Sequence, residues 1–502
     1  MKASAVGAVV QLSEILVDIE VDRVVGPLNL EVRSIVDDSR RVTPGALFAA
    51  IPGSSVDGHD HAGEAVRRGA IALLVEREVE AAATQIQVGS VRRSVGPVAA
   101  VFEGRPSDDM NLLGVTGTNG KTTVSYLLES IATAAGKRAG VIGTLGARID
   151  GDELPVGFTT PEAADLQRLL GTMRDRGVET VALEVSSHAL TQSRVDGTHF
   201  KVACFTNLSH DHIDFHGSMS EYFSAKARLF TRAFTNRAVI NLDDPVGLDL
   251  ETRATGAGVS VLTYGLGSNS DVTAVDIVVG ATGTDFTIVG RASGEENRVH
   301  LNLLGRLNVS NALAALTTAF SADIPLEAAL EGLANLKRVP GRLDRVDAGQ
   351  EFAVIVDFAH TPDALATVLR DARAFARGGR VIVVFGCGGD RDSLKRPLMG
   401  AAAGAHADIA IITSDNSRSE DPQAIADAVE LGIRSSFASY QIDLDRRRAI
   451  GLALGLAESE DVVVIAGKGH ETSQTSLGVT HEFNDGEVAE EILRGMLLKG
   501  EI

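Results

Sequence analysis

One ten-residue stretch, Gly114-Val115-Thr116-Gly117-Thr118-Asn119-Gly120-Lys121-Thr122-Thr123, constrains this chain more than any other. The apolar residues Leu112, Leu113 and Val115 lead into it, and a helix-compatible segment, Val124 to Ala135, follows. Strand, glycine loop, Lys-Thr and helix is the architecture of a phosphate cradle. Backbone N–H groups of the loop and the helix N-terminus face an anion, Lys121 adds a point charge, and the Thr122 hydroxyl suits Mg2+. The spacing departs from the strict G-x-x-x-x-G-K pattern, because Val115 stands where the first glycine belongs.

At 502 residues the chain has room for roughly three such units. Its net charge of -20 argues against non-specific nucleic-acid binding through the overall field, while leaving room for a local basic phosphate pocket. Two cysteines far apart, Cys204 and Cys387, make neither a disulfide framework nor a paired-cysteine metal site, which suits a reducing compartment. Glu14, Asp18, Glu20 and Asp22 interrupt the region where a signal peptide needs an apolar core, and no apolar run reaches transmembrane length. The expectation is a cytoplasmic protein, monomeric, with no membrane insertion.

Residues 1–105 read as a small α/β domain, with strands at Val32–Val36, Leu47–Ile51 and Ala70–Val75 and a helix at Ala62–Arg68. Ser39 and Arg40 in the Asp38-Ser39-Arg40 loop offer phosphate contacts, and His59 and His61 read as exposed loop histidines. Residues 106–337 alternate: strands Ala139–Ile142, Thr180–Leu183, Val202–Thr206 and Ala238–Asn241, helices Pro161–Arg176 and Ser220–Phe234. That alternation predicts a mostly parallel sheet with helices on both faces. From Asp271 to Leu304 the period changes to two, which predicts a small antiparallel sheet, before helices at Asn308–Phe320 and Leu326–Leu336. Pro340-Gly341-Arg342 opens a Rossmann-like unit, 338–502, with strands Ala353–Val356, Val381–Phe385, Ile409–Ile412 and Val462–Ile465 and helices such as Pro362–Arg377 and Ala424–Leu431.

Open parallel sheets bind ligands at the C-terminal ends of their strands. Glu184 ends one strand and Asn207-Leu208-Ser209-His210-Asp211-His212 ends another, so Glu184 and His212 are expected to converge near Thr122 as a Mg2+ or Mn2+ set. Lys226, taken by its position alone, reads as an ordinary solvated helix lysine.

Taken together, several motifs give the chain a specific resemblance. Asp38-Ser39-Arg40, Gly117–Thr123, Thr159-Thr160-Pro161, Glu184-Val185-Ser186-Ser187-His188, Asn207–His212 and Gly467-Lys468-Gly469-His470-Glu471 occur in the order and spacing of the Mur ligases. These are the ATP-dependent amide-forming enzymes of peptidoglycan synthesis, and the nearest branch is the MurE type. The resemblance covers all three domains. It implies that Gly117, Thr118, Asn119, Gly120, Lys121, Thr122, Thr123, Asn308, Arg342, Asp357 and His360 bind ATP. It further implies that Thr122, Glu184 and His212 hold Mg2+ together with Lys226 as a carbamate (N6-carboxylysine), and that Lys121, Lys226 and His212 are catalytic. Ser39 and Ser54 are implied for the UDP end of the substrate, and Thr159, Thr160, Ser186, Gln192 and Arg194 for its muramoyl-peptide end. Phe358 replaces the usual tyrosine and Phe158 a frequent asparagine.

The implied substrates are ATP, UDP-MurNAc-L-Ala-D-Glu and meso-diaminopimelate. Arg418 of Asp415-Asn416-Ser417-Arg418 would pair with a distal carboxylate that lysine lacks. Arg391, Asp415, Asn416, Gly467 and Glu471 complete the implied amino-acid site. Ser417 stands in place of a usual proline, and Thr472 in place of a common aspartate. Three competing readings are the same ligase adding L-lysine, a folylpolyglutamate- or cyanophycin-type ligase, and a nucleotide-binding module without chemistry. The Asp-Ser-Arg domain argues against the second, and the intact Lys121, Glu184, His212 and Lys226 argue against the third.

Overall fold

The structure is a computed structural model that describes residues 9–53, 56–154, 156–267, 269–280, 283–291, 294–376 and 378–499. Among these, three α/β layers follow one another along the chain. The first sheet runs Arg23–Val25, Thr84–Gln87, Ala70–Val75, Ala46–Ala49, Ser34–Val36, parallel except for its first strand. Strand Thr84–Gln87 carries no clear period in the sequence, whereas helix Val91–Phe102 buries Val91, Val95, Val98, Ala99 and Phe102 along one face, against the first sheet and helix Ala163–Asp175. His59 is buried, which corrects its expected exposure. Its Nδ1 donates to Asp57 Oδ1 at 2.7 Å, and its Nε2 accepts the Glu76 amide at 2.9 Å. Both ring nitrogens are thereby used in holding two turns together.

The central sheet has eleven strands among the described residues. Six are parallel, in the order Ala139–Gly143, Thr180–Glu184, Asn111–Thr116, Val202–Phe205, Arg237–Asn241, Ser260–Tyr264. Their apolar residues are buried from both faces, as parallel strands under helices require. The strands from Val272 to Leu301 are antiparallel, as their alternation predicts, but they do not form a sheet of their own. Tyr264 pairs with Val272, so Val272–Val279, Thr284–Gly290 and Glu296–Leu301 extend the central sheet. Helix Met219–Ala227 is shorter than the pattern suggests; a single 3-10 turn, Arg228–Phe230, ends it, because Phe230 turns into the core.

The third sheet has the order Asp344–Val346, Ala353–Asp357, Val462–Ala466, Val381–Phe385, Ile409–Ile412, Ser439–Ile442, parallel after its first strand. Helix Pro362–Phe375 starts where it does because the Thr361 hydroxyl accepts the Ala364 amide and Pro362 occupies the first turn. The Arg446 guanidinium is fully buried on Asp485, at 2.7 and 2.6 Å, and also donates to Ala466 O at 3.0 Å. This pair joins helices Arg446–Leu456 and Asp485–Lys499 to the end of strand Val462–Ala466, directly before Gly467. No helix of the described residues is long and apolar enough to cross a membrane.

Helix Pro362–Phe375 also carries Asp371 against the start of helix Arg306–Ser321, where its carboxyl meets the Arg306 and Leu307 amides. Burial raises that carboxyl to about 6, the two amides offsetting only part of the cost.

Two outcomes follow. Asp485→Asn leaves Arg446 buried without its counter-charge and is expected to destabilise the C-terminal unit by about 3–5 kcal/mol, read from its denaturant midpoint. The stabilising proton on Asp371 is held more tightly by the folded than by the unfolded chain. Its contribution is therefore complete below the ordinary 3.8 and is lost as pH rises through about 6. Asp371→Asn is expected to flatten that slope in a melting-temperature profile from pH 4 to pH 8.

Candidate active site

Strand Asn111–Thr116 lies between Thr180–Glu184 and Val202–Phe205, with Val115 paired to Glu184 and Thr116 to Phe205. The two neighbouring strand ends therefore flank the glycine loop. Val115 belongs to the strand and is fully buried, so a glycine has no purpose there. The loop is fastened to the segment after Val202–Phe205. Thr118 N donates to Asn207 O at 2.8 Å, Asn119 N to Asn207 Oδ1 at 2.9 Å, and Asn207 Nδ2 returns a bond to Asn119 O at 3.1 Å. Gly117 has φ 152° and Gly120 φ 87°. A Cβ on Gly117 would meet Thr206 Oγ1 at 1.9 Å, and one on Gly120 would meet Asn311 Oδ1 at 2.5 Å. Only glycine fits this closely held loop. Thr122 and Thr123 begin helix Lys121–Ala134 and are buried, and Lys121 Nζ donates to Gly117 O and Thr118 O, both at 2.9 Å.

Glu184 is buried with its carboxylate fixed by Thr144. The Thr144 amide donates to Oε1 at 3.0 Å and its hydroxyl to Oε2 at 2.9 Å. His212 holds a left-handed φ of 54° at the start of a short helix, with Asp211 beside its Nε2 at 3.4 Å. Burial, with Lys121 and Lys226 nearby, lowers its imidazole below the usual histidine range in spite of Asp211. Lys226 is 1% exposed, which corrects the solvated reading of its position. Its amine rests 4.4 Å from the Tyr222 ring, and the Tyr222 hydroxyl is 3.1 Å from Thr118 Oγ1. Burial, and then Lys121, hold the Lys226 ammonium well below the usual lysine range.

The third unit reaches this loop through Arg342, whose Nη2 donates to Thr122 Oγ1 at 3.3 Å while its guanidinium lies 4.7 Å from the Phe358 ring. Asp357 uses both oxygens on backbone amides, of Leu343 at 2.7 Å and Ala359 at 2.8 Å, so it shapes the turn that presents Arg342. His360 is turned onto its own loop, Nδ1 to Phe358 O at 2.8 Å, and its carbonyl accepts Lys395 Nζ at 2.9 Å. Asn308 accepts a bond from Asn311 Nδ2 at 2.9 Å, and Asn311 in turn faces Gly120.

Five implied substrate residues form one connected network. Thr159 Oγ1 is 3.2 Å from Thr144 Oγ1. Thr160 Oγ1 donates to Glu184 O at 2.7 Å and accepts the Ser186 amide at 3.1 Å. Arg194 donates to Thr160 O at 3.1 Å and to Gln192 Oε1 at 2.6 Å. Arg194 also pairs with Glu162 at 2.8 Å and lies 4.7 Å from the Phe158 ring. Ser39 stands apart, buried on the first domain with its hydroxyl 3.3 Å from Glu64 Oε2. Arg41, two residues on, forks onto Asp165 of the central domain at 2.8 and 2.6 Å. Ser54 lies outside the described residues.

In the third unit a polar cavity of about 360 Å3 is lined by Asn416, Arg418, His470, Glu471, Thr472 and Ser473, with Thr475 beside them. Asn416 Nδ2 donates to Glu471 Oε2 at 2.7 Å, and the fully buried Lys468 donates to the same oxygen at 2.9 Å. Asp415 is buried behind this cavity, close to the left-handed Gly467. Arg391 does not join the lining and is exposed on the loop before helix Lys395–His406. His470 faces Phe358 at 5.0 Å and is lowered to about 4 by burial and by Arg342, so the cavity borders the turn that carries Arg342.

Sequence reasoning missed Thr144, Asn311, Tyr222 and Lys468. For Asn311 a signal existed: Asn308 and Asn311 stand three apart on a mostly apolar helix, hence on one face. For Thr144 none did, since its role depends on a neighbouring strand.

With this geometry in hand, the chain can be set beside known proteins. Residues 31–103 match the family model described as Mur ligase family, catalytic domain; 115–319 match Mur ligase middle domain; and 341–469 match Mur ligase, glutamate ligase domain. A protein of Geobacillus thermodenitrificans named UDP-N-acetylmuramoyl-L-alanyl-D-glutamate--2,6-diaminopimelate ligase is 45% identical over 92% of this chain and 94% of its own. A protein of the same name from Clostridioides difficile is 40% identical over 97% of this chain and 100% of its own. A solved structure under that name superposes with a TM-score of 0.72 at 35% identity, covering 98% of this chain and 100% of the other. The fold is also that of MurF from Thermotoga maritima, solved in complex with ADP, at a TM-score of 0.64 and 20% identity over 93% of this chain and 99% of the other. Three family models matched in order, and identity kept across nearly the whole length, make the chain a member of the Mur ligase family.

Proposed function

We propose that the chain is an ATP-dependent amide ligase of peptidoglycan precursor synthesis, joining meso-diaminopimelate to UDP-MurNAc-L-Ala-D-Glu in the cytoplasm. The observation that carries this reading is the polar cavity whose lining includes both Arg418, its guanidinium donating to Gly389 O, and Glu471. The distal end of meso-diaminopimelate bears both a carboxylate and an ammonium; that of lysine bears only the ammonium. The names of the full-length relatives agree with it.

In the first step the D-glutamyl carboxylate attacks the γ-phosphorus of ATP, the bond to the β–γ bridging oxygen breaks, and ADP leaves an acyl phosphate. In the second the incoming amino group, after losing its ammonium proton to solvent, attacks the acyl carbon, phosphate departs, and the new amide nitrogen gives up a further proton to the phosphate or to solvent. The attacking carboxylate and the triphosphate repel each other, so the main work is to hold two anions in line. Lys121, Arg342 and the loop amides supply positive charge, and Thr160, Ser186, Gln192 and Arg194 orient the peptide end. Mg2+ suits the donors: the Thr122 hydroxyl, the Glu184 carboxylate, a neutral His212 and a carbamylated Lys226. Among the described residues no three His, Cys, Asp or Glu are grouped to hold an ion alone, as suits a cation that shares its shell with water and phosphates. When bound, it neutralises phosphate charge.

Lys226 is buried and biased to the neutral amine, the form that adds to CO2 and so becomes an anion. Lys226→Ala is expected to cut turnover by at least ~100-fold, with partial recovery on adding a small carboxylic acid; full activity without it would refute the carbamate. Phosphate release should require the UDP-dipeptide and meso-diaminopimelate together, and no release with any amino acid would sink the ligase reading. Arg418→Ala should raise KM for meso-diaminopimelate by roughly 10- to 100-fold, the loss of a charge-assisted pair. Equal use of lysine by the unaltered enzyme would show that Arg418 does not select.

A further inference from the structure

Arg418 has a φ of 53°, a left-handed conformation that an arginine does not hold unless its surroundings impose it. Those surroundings are a hairpin, Ser473–Ser476 paired with Val479–Glu482. The Arg418 amide donates to Thr475 O at 3.1 Å, and its carbonyl accepts the Gly478 amide at 3.0 Å. The preceding Ser417 is 1% exposed and donates its hydroxyl to Ser476 Oγ at 2.9 Å. Asn416 Oδ1 accepts the Thr475 amide at 2.9 Å, and Gln474 Nε2 donates to Ser414 O and Asp415 O, both at 3.2 Å. Each residue from 414 to 418 is thus bonded to one edge of the hairpin. Its tip exposes Leu477 and Val479, at 66% and 53%, so building apolar core is not its purpose.

We infer that the hairpin Ser473–Glu482 is the specificity element of the amino-acid cavity, and that Ser476 is a positioning residue that sets Arg418 through Ser417. The inference rests on the proposed pairing of Arg418 with the distal carboxylate. Ser417 sits at the join between the buried loop and the strained arginine, and its hydroxyl is the part of its side chain that the hairpin holds. Removing the partner hydroxyl loosens the turn that sets where the guanidinium, which donates to Gly389 O, stands at the cavity lining. Nothing in this contact reaches the phosphate loop, so the effect falls on one substrate only.

Initial-rate kinetics on the full-length enzyme test this, with Ser476→Ala, Ser476→Thr, Ser417→Pro and the Ser417→Pro/Ser476→Ala double variant. Ser476→Ala should raise KM for meso-diaminopimelate about three- to tenfold, the loss of one neutral hydrogen bond, and narrow its preference over lysine. KM for ATP and for the UDP-dipeptide should stay within about twofold, because those contacts are untouched. Ser476→Thr, which keeps the hydroxyl, should restore the value. A proline ring at 417 locks that residue's φ without help from the hairpin, so Ser476→Ala should have no further effect in the Ser417→Pro background. Ser476→Ala with an unchanged KM for meso-diaminopimelate would overturn the inference. An equal rise in all three KM values would overturn it too, since that marks a merely structural residue. Should Ser417→Pro fail to fold, the Ala and Thr variants decide alone. Lysine used as readily as diaminopimelate by the unaltered enzyme defeats the Arg418 reading first; normal discrimination with a silent Ser476→Ala defeats only the role of Ser476.

Discussion

The structure depends on a closely held glycine loop, whose Thr118 and Asn119 amides are bonded to Asn207 behind it. Buried amides and carbonyls need partners. Here they come from the adjacent strand end, through the exchange between Asn119 and Asn207 and the Thr206 hydroxyl on Asn119 O at 2.6 Å. The parallel order of the central sheet makes that exchange available. The segment that fastens the loop also carries Asp211 and His212, and the strand on the other side ends in Glu184. Tyr222, Asn311 and Arg342 then attach three further elements to the same loop, one from the third domain unit.

That arrangement gathers positive charge in a protein whose net charge is -20. Lys121 and Arg342 are both shifted toward their neutral forms by burial, Glu184 offsetting part of it for the lysine and Asp357, then Glu184, for the arginine. Charge held in a water-poor site acts more strongly on a triphosphate than the same charge on the surface. The acidic surface and the basic pocket do not conflict, because salt screens the one over about 8 Å and barely reaches the other.

Much of the fold is legible in the residues. The apolar runs of Val381–Phe385 and Val462–Ala466 are strands buried on both faces, and their alternation with helices predicts the parallel sheets that the structure has. The rule that ligands collect at strand ends leads to Glu184 and to the Asn207–His212 segment without knowledge of contacts. What misleads is local context. A lysine in Phe223-Ser224-Ala225-Lys226 has no neighbour in sequence that announces its burial, and His59 in a glycine-flanked loop looks exposed until Asp57 and Glu76 take both its nitrogens. The strands after Asp271 alternate like a separate sheet, and only the single pairing of Tyr264 with Val272 joins them to the main one.

By itself the sequence determined the α/β class, the phosphate loop and the family resemblance, because these rest on local spacing: strand, glycines, Lys-Thr, helix, and short motifs in a set order. Tertiary structure alone decided which side chains are paired and which are left for substrate. Asp357 and His360 are taken up by backbone groups, Thr144 fixes Glu184 across strands, Arg391 stays outside the cavity, and the hairpin after Glu471 sets the backbone of Arg418. Such pairings join residues tens to hundreds of positions apart, and burial, which gives each of them its energy and its protonation state, is a property of the packed chain.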